Sequence, residues 1–281
     1  MSDEWTQLVD RVNFGEGPRW HDGELWYSDF YQRRVYRVAA DGTRTTVVEI
    51  DDRPSGLGWM PDGDLLIVSM TARRLLRYDG ATTTVHADLS EVAPINCNDM
   101  VVDADGNAYV GHFGFDLEAG ESFVPASVVL VRADGTVEVA ADELAFPNGS
   151  VITPDGATLI VGQSFGGEYA AFDIGDDATL SNRRTWSSVP GTAPDGCTLD
   201  AEGGIWFSDA LGSQVVRVVE GGEVTDTIAT PMPTFACMLG GDDGRTLHAL
   251  CAPGSHPDKV AGEPGGAIFT RRVDHPRAGR P

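Results

Sequence analysis

Polar side chains that suit metal binding precede six similar turns along this sequence. Each turn is an Asp-Gly or Glu-Gly pair, and seven or eight residues before its glycine stand, in order, Glu16, Ser55, Asn98, Asn148, Asp195 and Cys237. Carboxylate and amide oxygens are the ligands that Ca²⁺ and Mg²⁺ prefer. If these positions face one point, their oxygen-bearing members predict a divalent-metal site there. An isolated Asn or Asp before a strand more often caps backbone groups, so the prediction depends on the shared register.

The same turns indicate the elements that would position these side chains. Their glycines recur at intervals of roughly 40–50 residues, the length of a four-stranded propeller blade. Asp-Gly pairs permit tight hairpins, and short apolar segments such as 65–68 and 159–161 follow them with no helical period. Equivalent positions of successive blades face the central axis. The sequence therefore predicts an all-β fold, a six-bladed β-propeller with a central metal site.

One domain is expected to span residues 1–281, because the repeats run through the chain without a linker. Residues 1–13 are expected to supply a strand, at 6–9, that pairs with residues 266–270. This pairing would close the ring of blades and remove an exposed sheet edge. The tail, residues 271–281, is expected to fray.

Charge and composition argue against several classes of protein. The 281 residues carry a formal net charge of −23, which argues against nucleic acid and an anionic membrane surface as partners. No apolar run is long enough for a transmembrane span, and no signal peptide is recognisable. The four cysteines form no CxxC pair, and a cytoplasmic location is expected. The sequence leaves the oligomeric state open.

Further candidates lie next to the third of the six positions. Asn96 and Asn98 are two residues apart and share one face of an extended segment, where both amides could hold a polar ligand. The loop 112–125 is the longest insertion in the repeats and is a candidate lid over the site. His112, at its start, could act as an acid or base, but a strand-end histidine with no evident partner is more often structural.

Together these segments resemble the SMP-30/gluconolactonase/luciferin-regenerating-enzyme family of six-bladed propellers. The matching segments follow the family's order through almost the whole chain: 15–18, 98–99, 147–149, 181–184, 194–196, 237–241 and 265–269. The resemblance implies that one divalent metal ion binds to Glu16, Asn148 and Asp195. Ca²⁺ is the expected ion, with Mg²⁺, Mn²⁺ or Zn²⁺ as alternatives. It also implies substrate contacts at Asn98 and at Asp116.

One departure from the family pattern concerns the substrate. Members of this family commonly hydrolyse lactones, and those that take sugar lactones resemble Arg-x-Asn-Asp where this chain has Asn96-Cys97-Asn98-Asp99. Loss of the guanidinium removes a strong hydrogen-bonding fork for a polyhydroxylated ligand. A small-molecule lactone other than gluconolactone is therefore the expected substrate, with Asn96 as a further binding residue.

The sequence thus predicts a metal-dependent hydrolase that opens a lactone. The metal would polarise the lactone carbonyl, and Asp195 would bind the metal and orient or deprotonate the attacking water. Two alternatives stay open. One is a non-hydrolytic isomerase, lyase or cyclase of a biosynthetic pathway on the same site, which adds no water to its product. The other is a non-catalytic binding propeller, which would be indifferent to loss of Glu16.

Overall fold

Short strands that pair mostly in chain order form the whole architecture. A computed structural model describes residues 4–279 and arranges them in six four-stranded antiparallel sheets. Its strands are β1 (Thr6–Val12), β2 (Gly15–His21), β3 (Glu24–Asp29), β4 (Arg34–Val38), β5 (Arg44–Glu49), β6 (Pro54–Trp59), β7 (Leu65–Ser69), β8 (Arg74–Tyr78), β9 (Thr83–Asp88), β10 (Cys97–Val102), β11 (Ala108–His112), β12 (Ala126–Val131), β13 (Val137–Leu144), β14 (Pro147–Ile152), β15 (Thr158–Gln163), β16 (Glu168–Ile174), β17 (Leu180–Ser188), β18 (Pro194–Leu199), β19 (Ile205–Asp209), β20 (Gln214–Val218), β21 (Val224–Ala229), β22 (Thr234–Gly240), β23 (Thr246–Cys251) and β24 (Gly266–Arg272). A single turn of helix, α1 (Pro257–Val260), precedes β24.

The six sheets are the blades of a propeller. Blades 1 to 5 are β2–β5, β6–β9, β10–β13, β14–β17 and β18–β21, and blade 6 has the order β1-β24-β23-β22. The first strands of the blades, β2, β6, β10, β14, β18 and β22, contact one another around the axis. Glycines with positive φ, such as Gly63 at +95° and Gly156 at +74°, form the turns after them, where a side chain would be strained. The prediction of an all-β, six-bladed propeller is confirmed.

The two ends of the chain meet in blade 6. Thr6 lies opposite Thr270, and Val9 lies opposite Ile268 in the adjacent strand. The N-terminal strand and residues 266–270 therefore share one sheet, in the pairing that the sequence analysis expected; residues 1–3 lie outside the described residues. Because β1 covers the outer edge of β24, blade 6 gains its fourth strand from the other end of the chain.

Glycine lets the inner strands approach each other closely. Glu16, Ser55, Asn148 and Asp195 are each followed by a glycine. A Cβ atom on Gly149 would lie 2.3 Å from the Asp195 carbonyl oxygen, and one on Gly17 would lie 2.7 Å from the carbonyl oxygen of Ser55. No side chain fits such gaps. The sequence pattern of a polar residue before glycine therefore marks the places where adjacent blades touch at the axis.

Apolar side chains fill the spaces between blades. Leu66 and Leu75 of blade 2 pack with Met100 and Val129 of blade 3 in one such cluster, and similar clusters join the other blades. Each blade buries its two apolar faces against its two neighbours. A single blade on its own would leave both faces exposed to water. The result is a rigid ring on which the loops at one end are supported.

The C-terminal tail is ordered where fraying was expected. The backbone N–H of Arg277 donates to Gly244 and that of Ala278 to Leu199, and the Pro276 carbonyl accepts from Ala201. The expectation that residues 271–281 fray is therefore wrong for 271–279, because these bonds and the end of β24 attach the segment to blades 5 and 6; residues 280 and 281 lie outside the described residues. Among residues 4–279, no helix is both long and apolar enough to span a bilayer.

Candidate active site

A cavity of about 540 Å³ lies where the inner strands begin. Its buried polar lining residues each occupy the second position of a strand: Glu16 in β2, Asn98 in β10, Asn148 in β14 and Asp195 in β18. All four are buried, with exposed fractions of 5–9%. We call these four residues the polar floor. Because they share one strand position in four blades, the register that the sequence suggested brings them together in space.

The two other positions of the repeated set do not line the cavity. Ser55 is buried, and its backbone carbonyl accepts a hydrogen bond from Ser28. Cys237 stands later in its strand than the floor residues, and its Sγ lies 3.3 Å from the carbonyl oxygen of Trp206. Ser55 of blade 2 and Cys237 of blade 6 therefore pack within the ring and contribute no side-chain atom to the lining of the cavity.

The two carboxyl groups of the floor are strongly perturbed. The pKa of Glu16 is raised well above its ordinary value, first by burial and then by the charges of Asp195 and Asp99. Burial also raises the pKa of Asp195 to about 8, although a hydrogen bond from Asn148 opposes the shift. Each group would be costly to ionise alone in this setting. Among the described residues, no arginine or lysine lines the cavity to compensate for these charges.

Arg19 does not supply that charge, because its guanidinium is already occupied. Its Nη2 lies 2.7 Å from Oδ1 of Asp99, and its Nε donates to the carbonyl oxygen of Leu57 at 3.0 Å. Nη2 also donates to the carbonyl of Met100. Among the influences on the pKa of Glu16, the lowering by the charge of Arg19 is the smallest. The Arg19–Asp99 pair therefore joins blades 1 and 3, and the Arg19 guanidinium is not available to pair with the floor carboxyls.

The amide of Asn148 is held so that its oxygen stays free. Its Nδ2 donates to Oγ of Ser164 at 3.1 Å, and this hydroxyl in turn donates to the Pro194 carbonyl at 2.6 Å. The buried Oδ1 has no hydrogen-bond partner among the described residues. Buried amide oxygens are rarely left unsatisfied. Asn98 is anchored similarly, through Nδ2 to the carbonyl of Pro147 at 3.2 Å.

These atoms fit a hard divalent cation. Glu16 and Asp195 offer two carboxylates, and the unpartnered Oδ1 of Asn148 offers a third oxygen; Ca²⁺ takes six to eight oxygen ligands, several of which can be water or substrate. Within residues 4–279, no three His, Cys, Asp or Glu side chains form a metal-binding group. A site here would therefore depend on the amide oxygen as its third protein ligand.

Two of the predicted substrate-binding residues lie elsewhere. Asn96 precedes β10 and does not line the cavity; its carbonyl accepts from the backbone N–H of Phe113 at 2.9 Å. Asp116 also lies outside the lining residues. Its Oδ1 accepts from the N–H of Ala119, and its own N–H donates to Glu121. Asp116 therefore caps a turn within its own loop, and the structure does not bring Asn96 or Asp116 to the floor.

The loop 112–125, the candidate lid, does reach the cavity, through Phe113 and the two residues after Asp116. Leu117 and Glu118 line it, and the Glu118 carboxylate forms an ion pair with Arg53, which precedes β6. The start of the loop is fixed by His112, whose Nδ1 accepts from the N–H of Gly114 and whose Nε2 lies 2.8 Å from Oγ of Ser127. Burial lowers the pKa of His112 to about 4, so this histidine is neutral and structural.

Sequence reasoning missed the apolar walls of the cavity. The residue directly after the second strand of blades 1 to 5 lines the cavity in every case: Phe30, Met70, Phe113, Ser164 and Ala210. These residues stand seven or eight positions after the turn glycines, so the register that located the floor could also have located them. Phe14, Phe146 and Phe235 complete the buried part of the walls.

Comparison with known proteins agrees with this architecture. The sequence model for the SMP-30/Gluconolactonase/LRE-like region matches residues 14–252. The chain is 29% identical to L-arabinolactonase of Azospirillum brasilense, over 96% of this chain and 92% of that protein. It is 27% identical to pentonolactonase XacC of Haloferax volcanii, over 98% and 96%. A solved structure from Agrobacterium tumefaciens, described as the calcium-binding protein regucalcin, superposes with a TM-score of 0.81 at 22% identity, over 98% and 95%.

Proposed function

The chain belongs to the SMP-30/gluconolactonase/LRE-like family, and we propose that it is a divalent-metal-dependent hydrolase that opens a lactone other than gluconolactone. The polar floor carries this proposal, because two buried carboxyl groups and an unpartnered amide oxygen line one cavity. Relatives at 27–29% identity that are named as lactonases support the choice of lactone hydrolysis.

Each floor residue has its own proposed role in hydrolysis. Glu16, Asn148 and Asp195 would hold the metal ion, which when bound supplies Lewis-acid polarisation of the lactone carbonyl. Two carboxylates balance the charge of one divalent cation. Without such a charge beside it, Asp195 has a pKa of about 8, and a neighbouring positive charge favours its carboxylate form near neutral pH. Asp195 is therefore placed to orient a water molecule and accept its proton.

The reaction adds one water to the substrate. The water oxygen bonds to the carbonyl carbon, the ring carbon–oxygen bond breaks, and the ring oxygen leaves as a hydroxyl group. The product is a hydroxy acid that releases one proton at neutral pH. Asn98, held by its bond to the Pro147 carbonyl, would present the rest of its amide to oxygen atoms of the substrate.

Ca²⁺ is the ion that we propose. All three candidate ligands bind through oxygen, which suits hard cations rather than thiol- or imidazole-seeking ones. The description of the Agrobacterium tumefaciens protein as calcium-binding agrees with this choice. Mg²⁺, Mn²⁺ and Zn²⁺ are the alternatives that an experiment should include.

Gluconolactone is a poor match for the cavity. Within residues 4–279, no arginine or lysine lines it, and Asn96, which stands where sugar-lactone members carry arginine, lies outside the lining residues. A polyhydroxylated ring would therefore find few strong donors beyond the floor. A less polar lactone fits the lining better.

Proton release from a panel of γ- and δ-lactones tests the proposal. We expect metal-dependent acid release with Ca²⁺, its loss after treatment with EDTA, and a product mass one water greater than that of the substrate. A product of unchanged mass would instead favour an isomerase, lyase or cyclase on the same site. No reaction and no bound metal would contradict the proposal and favour a binding propeller.

A further inference from the structure

The cavity above the polar floor is lined mainly by hydrocarbon. Six of its lining residues are phenylalanines: Phe14, Phe30, Phe113, Phe146, Phe165 and Phe235. Phenyl rings form two packed groups within this set. Phe14 lies 5.2 Å from Phe30 and 4.9 Å from Phe235, measured between ring centroids. Phe146 lies 4.6 Å from Phe113 and 5.1 Å from Phe165.

Several polar side chains outside the floor already have protein partners. Oγ of Ser164 donates to the Pro194 carbonyl at 2.6 Å, and Oγ1 of Thr192 donates to the Val189 carbonyl at 2.7 Å. The Glu118 carboxylate is paired with Arg53. A buried hydroxyl group without a hydrogen-bond partner is costly. A sugar-lactone hydroxyl that lies against the phenylalanine walls, away from Tyr31, Ser255 and His256, would meet that cost, whereas an apolar substituent would not.

The mouth of the cavity carries large apolar side chains that face solvent, beside the polar residues Glu118, Ser255 and His256. Three residues from loops between second and third strands form what we call the rim: Leu117 (43% exposed), Phe165 (52%) and Leu211 (75%). Contiguous apolar surface of this kind often marks a binding groove. The rim is continuous with the proposed reaction site, because all three residues line the same cavity as Asp195. The occupant that this continuity favours is the substrate itself.

From these observations we infer that the substrate is an aryl-bearing lactone, whose lactone ring reaches the polar floor while its aromatic ring lies against the phenylalanine walls. This inference rests on the proposed lactone hydrolysis and names its substrate class. A cavity of about 540 Å³ lies within the range of roughly 300–1,000 Å³ that holds drug-sized ligands. Aromatic rings gain from edge-to-face and offset contacts with phenylalanine beyond the area they bury.

The reaction on such a substrate needs only water. For a benzo-fused δ-lactone, the water oxygen bonds to the carbonyl carbon, and the bond between that carbon and the aryl oxygen breaks. The aryl oxygen takes a proton and leaves as a phenol, which stays attached to the new carboxylate through the carbon chain. One proton is released near neutral pH, and nothing is oxidised or reduced.

Three δ-lactones with the same ring size test the inference: dihydrocoumarin, δ-valerolactone and D-glucono-1,5-lactone. Each kcat/KM is divided by the rate constant of the uncatalysed reaction, since the three lactones differ in intrinsic reactivity. We expect the normalised value for dihydrocoumarin to exceed that for gluconolactone by about a hundredfold, which corresponds to burying a phenyl group in place of unpaired hydroxyls. A larger normalised value for gluconolactone would overturn the inference.

Phe165→Ala removes an aromatic ring from the rim. Because Phe165 is half exposed, the variant should fold. We expect kcat/KM for dihydrocoumarin to fall about tenfold, mainly through KM, since a partly buried phenyl contact is lost; the loss for δ-valerolactone should be at least fivefold smaller. Val85→Ala is the matched control, because Val85 is 53% exposed and lies away from the cavity. Equal losses for the two lactones in Phe165→Ala would contradict an aryl-binding rim.

Binding of hydrolysis-resistant lactams separates this inference from the proposed activity. By calorimetry, 3,4-dihydro-2-quinolinone should bind at least tenfold more tightly than δ-valerolactam, and Phe165→Ala should reduce the difference. Hydrolysis of δ-valerolactone with no preference for aryl compounds in either assay would overturn the inference and leave the proposed function standing. Tight binding of the aryl lactam with no hydrolysis of any lactone would support the apolar site and contradict the proposed function.

Discussion

The polar floor and the rim of the cavity are built by different parts of each blade. Floor residues such as Glu16 and Asp195 occupy the second position of inner strands, which neighbouring blades clamp on both sides. Rim residues such as Phe165 and Leu211 stand in loops between second and third strands and are half exposed or more. The floor is thus fixed by the backbone of the ring, whereas the rim can change without disturbing it. We therefore propose that the floor carries the chemistry and that the rim contributes to the choice of substrate.

Asp195→Asn should have the largest effect and tests the floor. The substitution keeps the shape of the side chain but replaces a proposed carboxylate ligand by a neutral amide and removes the proposed base, so turnover of every lactone should fall by about 10³-fold or more. Initial rates of proton release, together with circular dichroism to verify folding, provide the measurement. Asp155→Asn is the control, because Asp155 is an exposed turn residue that caps Ala157. Turnover close to that of the wild type in Asp195→Asn would remove Asp195 from its proposed role.

Glu16→Gln should change stability in opposite directions with and without metal. Removing one of two unpaired buried acids should raise the Tm of the metal-free protein by about 2–4 °C for each kcal/mol gained. The same change should weaken Ca²⁺ binding by about a hundredfold and abolish most of the stabilisation that Ca²⁺ provides. Thermal unfolding with Ca²⁺ or with EDTA measures both effects. A variant that is less stable in EDTA but binds Ca²⁺ normally would show that Glu16 is structural.

At acid pH, the loop that carries Leu117 should lose stability before the propeller unfolds. Burial lowers the pKa of His112 in the folded protein to about 4, below the value of about 6.5 in the unfolded chain. Its neutral form therefore contributes stability that is complete above pH 6.5 and is lost as the pH falls towards 4, by up to about 3 kcal/mol.

Hydrogen exchange at Gly114 reports this change, because its backbone amide donates to Nδ1 of His112 and loses this acceptor when the imidazole is protonated. The protection of the Gly114 amide should decrease between pH 6.5 and 4 more than that of the Val151 amide in β14. Urea unfolding of His112→Gln should show a shallower dependence on pH than the wild type over the same range. Parallel pH profiles for the two proteins would argue against a neutral, buried His112.

Glu118→Gln should have the smallest effect and tests the loop that carries Leu117. The Arg53–Glu118 pair is partly exposed, at 23% and 37% of the two side chains, so its loss should cost no more than about 1 kcal/mol of stability. If the pair holds the loop over the cavity, KM for an aryl lactone should rise about two- to fivefold while kcat stays nearly constant. A reduced kcat with unchanged KM would indicate that Glu118 takes part in the chemistry.

Much of the ring and its floor follows from repetition in the sequence. The Asp-Gly turns set the blade length, and counting back from their glycines identifies Glu16, Asn98, Asn148 and Asp195. Counting back from the turns succeeds because the strand register of a closed ring fixes which residue of each inner strand faces the axis. Counting forward would have identified Phe30, Met70 and Phe113 in the same way.

Loops and tails could not be predicted so well. The two-residue periodicity placed Asn96 on the face of Asn98, but the strand begins only at Cys97, so that periodicity does not apply to Asn96. Asp116 bonds to its own loop, an arrangement that has no repeat in the other blades. Residues 271–279 looked like an unpaired tail, yet they bond to Leu199 and Ala201 of blade 5 and to Gly244 of blade 6. Such contacts between distant segments leave no local signal.

Anomalous diffraction from crystals grown with Mn²⁺ would locate the metal ion directly, because Mn²⁺ scatters anomalously and takes the same oxygen ligands as Ca²⁺ and Mg²⁺. We expect one strong peak in the central cavity, within bonding distance of carboxylate oxygens of Glu16 and Asp195 and of Oδ1 of Asn148. We also expect the peak to weaken in Asp195→Asn crystals, because a neutral amide replaces a carboxylate ligand. A cavity without a peak at saturating Mn²⁺, or a peak bound only by other residues, would contradict the polar floor as a metal site.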